Sequence, residues 1–491
     1  MKVNISNWTS VNLSDISLVV RGITFPASAK LNKWSADRVC CLRTSNIQKK
    51  LDLRDVYFVD SSYVKRNEQI VQPGDILMSM ANSYELVGKV ARANHLVYPS
   101  AFGAFLAAVR PTDVIDGSYL FNFLKSSEAQ RKLREGSSQT TNIANISVST
   151  LGKLQVPLPP LAEQRRIADK LDTTLARVDA LNYRLARITP LLKRFRQSVL
   201  AAAYTGKLTQ EFRAIEKFKS VDEALSEISP IPRPNRYKSR TEAIIAGDYA
   251  LSVNDAKMKI PEAWKWVPLV DVARMESGHT PSRSVEAYWG GGIPWIGIAD
   301  ARENHAGTIL DTIQKTNEEG IKNSAARILP KGTICVSRTA SVGYVVKMGK
   351  PMATSQDFVN WTCSEAINPD WLKWLFVAEG EALPRFGKGS THTTIYFPEW
   401  LSLQVALPPV QEQTEIVHRI ETLFAFADRL EARLQSAQTA AERLTPALLA
   451  KAFRGELVPQ DPNDEPATEL LRRLRDARAA QAAAKAKRKK Q

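Results

Sequence analysis

The chain has 491 residues, and 67 Lys and Arg residues against 51 Asp and Glu residues give a formal net charge of +16. This excess favours a polyanionic partner such as nucleic acid, and the length predicts about three folded units that need no disulfide or metal for stability. The four cysteines have no C-x-x-C spacing and no apolar run is long enough to cross a bilayer, so we expect a cytoplasmic protein without a zinc site or membrane span.

The first predicted module covers residues 1–155 and mixes strands with helices. Its turn at Pro73-Gly74 leads into an apolar strand. Arg, Lys, Asn and Gln side chains commonly contact bases and phosphates in DNA, and residues of these kinds fall on predicted loops of the module. The candidate DNA-binding residues of this module are Asn46, Gln48, Lys49, Lys50, Asn82 and Tyr84.

A long helix is predicted within residues 156–212. It follows Leu158-Pro159-Pro160, because proline ends the preceding strand and suits the first turn of a helix, and we expect it to end near Gly206. Along the helix, apolar residues recur at alternating steps of three and four, which is the spacing of a coiled-coil seam. The predicted seam of this helix comprises Leu181, Leu185, Ile188, Leu192 and Phe195.

Polar residues 213–258, which include Pro230-Ile231-Pro232, predict a linker to a second module at residues 259–405. The second module repeats features of the first. Its segment at Trp264 parallels the segment at Trp8, and Gly-Ser-Thr-His-Thr-Thr at 389–394 parallels Gly-Ser-Ser-Gln-Thr-Thr at 136–141. Its candidate DNA-binding residues are Arg283, Arg302, Asn304, His305, Arg338 and Ser341.

A second long helix, predicted within residues 406–458, is a copy of the first. Residues 407–457 align without a gap to residues 158–208, with 18 identities in 51 positions. Both copies contain Leu-Pro-Pro followed by a Glu-Gln pair, and both end in aromatic-x-Gly-x-Leu. The predicted seam of the second copy comprises Leu430, Leu434, Ala437, Ala441 and Leu444. Residues 459–491 form a basic C-terminal tail, for which a solvated helix, a disordered end and a DNA-contacting arm all remain open.

One long helix cannot bury its apolar stripe alone, so we expect the two copies to pair in antiparallel orientation. The predicted fold class is α+β: two globular mixed α/β modules joined by two long antiparallel coiled-coil helical repeats, with pseudo-twofold symmetry. A helix of about 35 residues is about 50 Å long, enough to hold two modules at the separation of DNA half-sites. Because the two modules differ in sequence, such a site would be bipartite and asymmetric.

The layout resembles the specificity subunit of a type I restriction–modification system. The resemblance rests on Leu-Pro-Pro at 158–160 and 407–409, on the Glu-Gln pairs at 163–164 and 412–413, and on the closing motifs at 204–208 and 453–457. It implies a DNA-binding, non-catalytic subunit whose modules are target-recognition domains. It also implies two modification subunits that methylate adenine with S-adenosylmethionine, and two restriction subunits that use ATP and Mg²⁺, with no cofactor bound by this chain.

The sequence leaves two alternatives to this specificity role open. The first is a coiled-coil assembly adapter that reads no DNA sequence, and the second is a self-sufficient restriction or methylating enzyme. The second alternative is disfavoured, because the chain contains neither a G-x-x-x-x-G-K-[ST] phosphate loop nor an Asn-Pro-Pro-aromatic box. We therefore predict no catalytic residue and no metal ligand in this chain.

Overall fold

The computed structural model describes residues 7–94, 96–140, 143–234, 240–246, 251–253, 257–339, 341–389 and 393–488. The chain divides into two compact units, residues 1–186 with 435–491, and residues 187–434. Each unit contains one predicted module together with a part of each long helix. Within the described ranges, no helix is both long enough and apolar enough to cross a membrane.

The first module consists of short strands and four helices among its described residues. In chain order these elements are β1 (Thr9–Asn12), α1 (Leu13–Ile16), β2 (Ser17–Arg21), β3 (Arg38–Leu42), β4 (Tyr57–Asp60), β5 (Ile76–Ser79), β6 (Ala81–Asn82), β7 (Val90–Arg92), β8 (Ser100–Phe102), β9 (Leu106–Pro111), α2 (Gly117–Lys125), α3 (Ser127–Glu135), β10 (Ser138–Gln139), β11 (Ala144–Asn145), α4 (Val148–Gly152) and β12 (Gln155–Leu158). Strands β2, β9, β5 and β7, in this order, form a mainly buried antiparallel sheet. Strands β4, β3 and β8, in this order, form a second sheet.

The next segment contains the first long helix, in two parts, α5 (Leu161–Ala186) and α6 (Ile188–Tyr204). Three short helices follow: α7 (Gln210–Ile215), α8 (Val221–Glu227) and α9 (Thr241–Ala246). The long helix is interrupted at Arg187 because Pro190, four residues after Ala186, has no N–H to donate to the Ala186 carbonyl. The predicted C-terminal stop is confirmed, since Gly206 follows the helix with φ of 72°.

The second module is also built from short strands and short helices. Its elements are β13 (Leu251–Ser252), β14 (Lys265–Pro268), α10 (Leu269–Val272), β15 (Ala273–Ser277), β16 (Trp289–Ile296), α11 (Ile298–Glu303), β17 (Thr308–Ile309), β18 (Gln314–Thr316), α12 (Glu318–Lys322), β19 (Ile334–Ser337), β20 (Val345–Met348), β21 (Ala353–Thr354), β22 (Phe358–Cys363), α13 (Pro369–Glu379), α14 (Phe397–Leu401) and β23 (Leu403–Leu407). The main sheet has the order β15-β22-β19-β20-β17. The chain then continues into α15 (Val410–Phe453) and α16 (Ala467–Arg488).

The two long helices run antiparallel within each unit. In the second unit, the end of α6 meets the beginning of α15: Arg196 pairs with Asp428 at 2.6 Å, and Arg419 donates to the Leu208 carbonyl at 2.7 Å. In the first unit, the beginning of α5 shares a core with the end of α15, through Leu171 and Leu449. The predicted α+β class with two antiparallel helical repeats is therefore confirmed.

The covered seam of the helices is narrower than the sequence predicts. Among the predicted seam residues, Leu192, Leu434 and Ala441 are buried, Leu185, Ile188, Phe195 and Leu430 are half-buried, and Leu181, Ala437 and Leu444 are exposed. The fully covered positions repeat every seven residues, as at Ala427, Leu434 and Ala441. Residues three positions further along lie at the margin of this row or outside it: Leu430 is half-buried, whereas Ala437 and Leu444 are exposed, as is Leu181 on the first helix.

The segments predicted as linker and tail each contain a helix that packs on a module. In the second unit, Val221 of α8 is buried in the main core. In the first unit, Ala467 and Leu471 of α16 are buried in the core beside α2. The linker boundaries 213–258 therefore do not separate the modules cleanly, because part of this segment completes the second unit; residues 235–239, 247–250 and 254–256 lie outside the described residues.

The covered row provides a test in two adjacent residues. Leu192 is 7 % exposed whereas Leu191 is 56 % exposed. Leu192→Asp is expected to lower the free energy of unfolding by about 3 kcal/mol, because a carboxylate replaces a buried apolar side chain. Leu191→Asp is expected to change it by less than about 0.5 kcal/mol. Urea unfolding followed by circular dichroism measures both, and equal losses would show that Leu192 does not lie in a covered row.

Candidate nucleic-acid interface

The glutamines of the repeated Glu-Gln pairs fasten each module to the start of a long helix. The Gln164 side-chain amide donates to the Pro159 carbonyl at 2.9 Å, and its oxygen accepts from the backbone N–H of Asp116 at 2.8 Å. Asp116 is the N-cap of α2. Gln413 makes the same two bonds, to the Pro408 carbonyl and from the N–H of Asn368, the N-cap of α13, at 2.8 and 2.7 Å. Both amides are buried, so these bonds fix where each capped helix sits.

The glutamates of the same pairs accept from a tryptophan near the start of each module. Trp8 donates to Glu163 at 3.1 Å, and Trp264 donates to Glu412 at 2.9 Å. Glu412 also accepts from Thr209 and forms an ion pair with Arg213. Glu163 has no ion-pair partner among the described residues, and its Oε1 atom is buried without a hydrogen-bond partner among them. Burial raises the pKa of this carboxyl, and the charge of Arg166 only partly opposes that shift.

The aromatic residue that closes each helical copy packs on a capped helix. The Tyr204 hydroxyl donates to the Trp371 carbonyl at 3.0 Å, and the two rings meet edge to face. Phe453 contacts Tyr119 and Phe123 in the same edge-to-face manner. The motifs shared by the two copies therefore hold the modules on the helix ends.

The difference between the two buried glutamates predicts opposite effects of one substitution. A raised pKa in the folded state means that the stability contributed by Glu163 decreases as pH rises from the ordinary glutamate range through the folded-state pKa. Glu163→Gln is expected to be neutral at acidic pH and to gain about 1 kcal/mol at neutral pH, because a buried uncompensated charge disappears. Glu412→Gln is expected to destabilise, since Arg213 then loses its counter-charge. Thermal melts across pH measure both, and shifts of the same sign would contradict this assignment.

Asn46 is not available for DNA, which corrects the sequence prediction. It is 2 % exposed, and its side chain donates to the carbonyls of Asp52 and Asp55 at 2.7 and 2.9 Å while accepting from the Arg43 N–H. The side chain stabilises its own turn, because these buried backbone groups would otherwise have no partner.

Other candidates of the first module lie together. Lys89 donates to the Gln48 side chain at 2.9 Å, which joins the loop at 45–50 to the turn that carries Asn82 and Tyr84. Lys49 is exposed but forms an ion pair with Asp179 of α5. Lys50 is also exposed on this loop. Nearby, burial lowers the pKa of Lys125, which interacts with the charges of Asp179 and Lys49.

Candidates of the second module fall into two groups. His305 and Ser341 line one cavity of about 940 Å³, and burial lowers the pKa of His305. The His305 Nδ1 accepts from the Val345 N–H at 3.1 Å. Arg302 is exposed on α11, and Asn304 donates to the Asp300 carbonyl at the end of that helix.

The two remaining arginines lie on aromatic rings. Arg283 lies over the Trp295 ring at 5.6 Å, and Arg338 lies over the Phe397 ring at 4.6 Å. Arg338 also donates to the Gln356 carbonyl at 3.1 Å, and the Gln356 side chain accepts from Thr280, which lies three positions before Arg283 in the chain. Arg283 is exposed, whereas Arg338 is half-buried and already donates to backbone.

A polar element made of three paired segments occurs at corresponding places in both modules, as short strands in the first and as isolated bridges in the second. In the first, β11 pairs with both β10 and β6. In the second, Thr394 forms bridges with both Thr339 and Lys388. In each module the first of the three segments, at Ala81 or Thr339, leads into a turn that ends at a glycine with positive φ, Gly88 or Gly343. We name this element the polar ribbon: residues 81–88 with 138–145, and residues 339–343 with 388–394, of which 141–142, 340 and 390–392 lie outside the described residues.

Asn82, Tyr84, Arg338 and Ser341, which the sequence predicts as loop residues, lie on or beside the polar ribbon, whereas the residues of its other half are not among the predicted ones. Ser138, Gln139 and Thr140 are exposed in the first module, and Lys388 is exposed in the second. The repeated Gly-Ser-x-x-Thr-Thr pattern indicates this half of the ribbon in the sequence, because packing of the core does not explain why a polar segment outside it is repeated. Hydroxyls and lysines suit phosphates, and amides suit adenine.

Groups suited to catalysis are not assembled in the described part of the chain. No cluster of three or more His, Cys, Asp or Glu residues could hold a metal ion among the described residues. The cysteines are free, and burial raises the pKa of Cys41 to about 12 and that of Cys335 further still. Such thiols stay protonated and unreactive at neutral pH.

Comparison with known proteins identifies this architecture. A model of the type I restriction modification DNA specificity domain matches residues 5–189 and 261–437. The chain is 30% identical over 496 residues to the type I restriction enzyme EcoKI specificity subunit of Escherichia coli (strain K12), across 98% of each chain. It is also 30% identical over 493 residues to the StySPI specificity subunit of Salmonella potsdam, again across 98% of each.

Two solved structures share the fold. The HsdS subunit from Thermoanaerobacter tengcongensis matches with a TM-score of 0.56 and 16% identity, over 92% of this chain and 97% of that one. A chain from a structure of complex assembly and conformational transition of the type I R-M system matches with a TM-score of 0.59 and 17% identity, over 91% of this chain and 98% of that one. These matches agree with two sheet-rich modules and long helices.

Proposed function

The chain belongs to the family of type I restriction–modification DNA specificity subunits, and from this premise we propose that it reads a bipartite, asymmetric site in duplex DNA. Each module reads one half. The polar ribbon, present in both modules at corresponding positions, is the observation that carries this proposal. The alternative of an adapter that reads no DNA sequence is disfavoured by the specificity role of the family.

Asymmetry of the site follows from the side chains on the polar ribbon. The first module presents Ser138, Gln139 and Thr140, whereas the second presents Lys388 and places Arg338 beside the ribbon. An amide reads adenine and a cation reads guanine or phosphate, so similar backbones with these different side chains favour different bases. The loop at 45–50 and the exposed Arg283 supply further contacts to backbone or base.

Partner subunits carry the chemistry in this proposal. Two modification subunits bind S-adenosylmethionine and methylate adenine, and two restriction subunits bind ATP and Mg²⁺. Exposed apolar side chains on the long helices support docking of such partners: Leu191 is 56 % exposed and Phe426 is 48 % exposed. Side chains of this kind on otherwise polar helices are typical of protein interfaces.

Sequencing of methylated adenines in cells with and without the gene for this chain tests the proposal. We expect one split motif with two unlike halves, present only when the chain is produced. A single continuous motif, a palindromic one, or methylation that is independent of the chain would overturn the proposal.

The long helices are further proposed to set the gap between the two halves. Insertion of one heptad into α5 and one into α15, at positions that face each other in the antiparallel pairing, keeps the seven-residue register and adds about 10 Å of helix. The gap is expected to widen by about three base pairs, because base pairs are about 3.4 Å apart. Insertion into one helix only is the control and is expected to destabilise the chain, since the covered rows then fall out of register. A gap unchanged by the double insertion would mean that the helices do not set it.

A further inference from the structure

The C-terminal helix α16 has two dissimilar parts. Its first two turns carry Ala467, Leu470, Leu471 and Leu474, which are buried or partly buried against the core of the first unit. The preceding Asp464 strengthens this attachment, since it pairs with Arg166 of α5 at 2.7 Å. After Asp476 the composition changes: residues 477–491 contain seven alanines, six Lys or Arg residues and no acidic residue.

The docked part has a counterpart elsewhere in the chain. In α8 and the residue that caps its C-terminus, the residues packed on the core of the second unit are Val221, Ala224, Leu225 and Ile228. Each lies 246 positions before its equivalent in α16, so the two helices present the same i, i+3, i+4, i+7 face. Docking of a helix at this place is thus a repeated feature of the fold.

The basic extension has no counterpart. Helix α8 ends at Glu227 with the nearby Pro230, and it carries Asp222, Glu223 and Glu227 without a basic residue. Helix α16 continues to Arg488, because no proline follows and alanine has the highest helix propensity. Since α8 docks without any extension, the extension of α16 is not needed for docking.

The extension lacks the means to pack on a protein core. Beyond Leu474 it has no apolar residue larger than alanine, so it presents no apolar stripe. Like charges without acidic neighbours repel one another, and a polyanion relieves that repulsion. From Ala477 to Arg488 the helix is about 18 Å long, a length over which duplex DNA carries about ten phosphate charges.

We propose that the basic sequence 477–491, of which residues 489–491 lie outside the described residues, is an arm that binds the phosphate backbone of duplex DNA without reading bases, and that the docked part of α16 holds this arm to the first unit. This inference rests on the proposed function in one respect only: it takes duplex DNA to be the ligand of the chain. Its contribution is uniform across sequences, because phosphates carry no sequence information. It therefore raises affinity for the matched site and for unrelated DNA by the same factor.

Salt-dependent binding of the full chain to a mixed-sequence duplex tests the arm. One variant ends at Asp476 and keeps all docking residues. A second is full length and changes all six basic residues after Asp476 to Gln, which keeps the helix. The matched control carries Arg478→Lys and Arg488→Lys, which keeps the charge. Dissociation constants are measured between about 50 and 200 mM salt, where counterion release dominates.

Both charge-removing variants are expected to bind at least about tenfold more weakly at physiological salt, with a salt slope shallower by about 0.9 for each lost phosphate contact. The control is expected to match the wild type. Unchanged affinity and slope in both variants would overturn the arm, and unchanged DNA binding combined with weakened assembly with the partner subunits would assign the extension to an acidic protein surface instead.

The same assay separates this inference from the proposed function. If the wild-type chain with its modification subunits binds the mapped site no better than a scrambled duplex, the proposed function fails. The arm is judged only on the slope difference between wild type and variants on the mixed-sequence duplex. The ratio of matched to scrambled affinity is expected to stay constant when the arm is removed.

Discussion

Exchange of residues 1–155 for the corresponding module of a relative is expected to change one half of the methylated site and leave the other half and the gap unchanged. The first module has its own sheets and cores, including the cluster around Leu42 and Phe102. Its attachment depends on few side chains, so Trp8 and an aromatic residue at position 119 are retained in the exchange. Each mismatched base pair costs about 1–3 kcal/mol, so binding to the original site is expected to fall at least tenfold.

The reciprocal exchange of residues 259–405 is the matched control for this prediction. It retains Trp264 and an aromatic residue at position 371, which make the equivalent contacts in the second unit. It is expected to change the opposite half of the site. Methylation sequencing reads both outcomes, and a change of both halves by either exchange would refute the modular assignment.

Arg213→Ala is expected to cost about 3–5 kcal/mol of folding free energy, the largest loss predicted for a single substitution. Glu412 is fully buried, and Arg213 supplies its counter-charge while Trp264 and Thr209 donate to it. Removal of the guanidinium leaves a charged carboxylate in the core, and such a group is strongly destabilising. Urea unfolding of the full chain measures the loss.

Two variants sharpen the test of this ion pair. Arg196→Ala removes a pair whose acidic partners, Asp428 and Glu431, are more than half exposed, and it is expected to cost less than about 1 kcal/mol. Glu412→Gln added to Arg213→Ala is expected to restore part of the stability, because the unpaired charge disappears. If Arg196→Ala lowers the folding free energy as much as Arg213→Ala does, burial does not determine how strongly an ion pair stabilises this chain.

The repeat made the architecture predictable. A shared offset of 249 predicted two equivalent helices, and both begin after Leu-Pro-Pro and end before Gly206 and Gly455. The docked helices α8 and α16 do not follow from this repeat, because their offset is 246 rather than 249: a loop three residues shorter follows the second long helix. Their short apolar pattern therefore lies in the segments that the sequence predicts as a linker and a tail.

The environment of an individual polar side chain is less predictable from sequence than the fold. Asn46 and Gln48 have similar chemistry and lie two positions apart, yet Asn46 is buried and bonded to backbone whereas Gln48 is exposed. Turn sequences do not show which polar side chain will satisfy buried carbonyls, because that depends on tertiary closure of the turn. The repeated Gly-Ser-x-x-Thr-Thr pattern marks the segment of Ser138 and Gln139 in the sequence, but only the pairing of β10 with β11 shows that this segment lies beside β6.

The division of α15 between the two units affects the order of biosynthesis. Leu449, Ala452, Ala467 and Leu471 belong to the core that also contains Ile16 and Val109 of the first module. A nascent chain emerges from its N-terminus, so the first module leaves the ribosome long before the residues that complete its core. During that interval it exposes apolar surface, and its final folding step waits until residues 449–471 have left the ribosome.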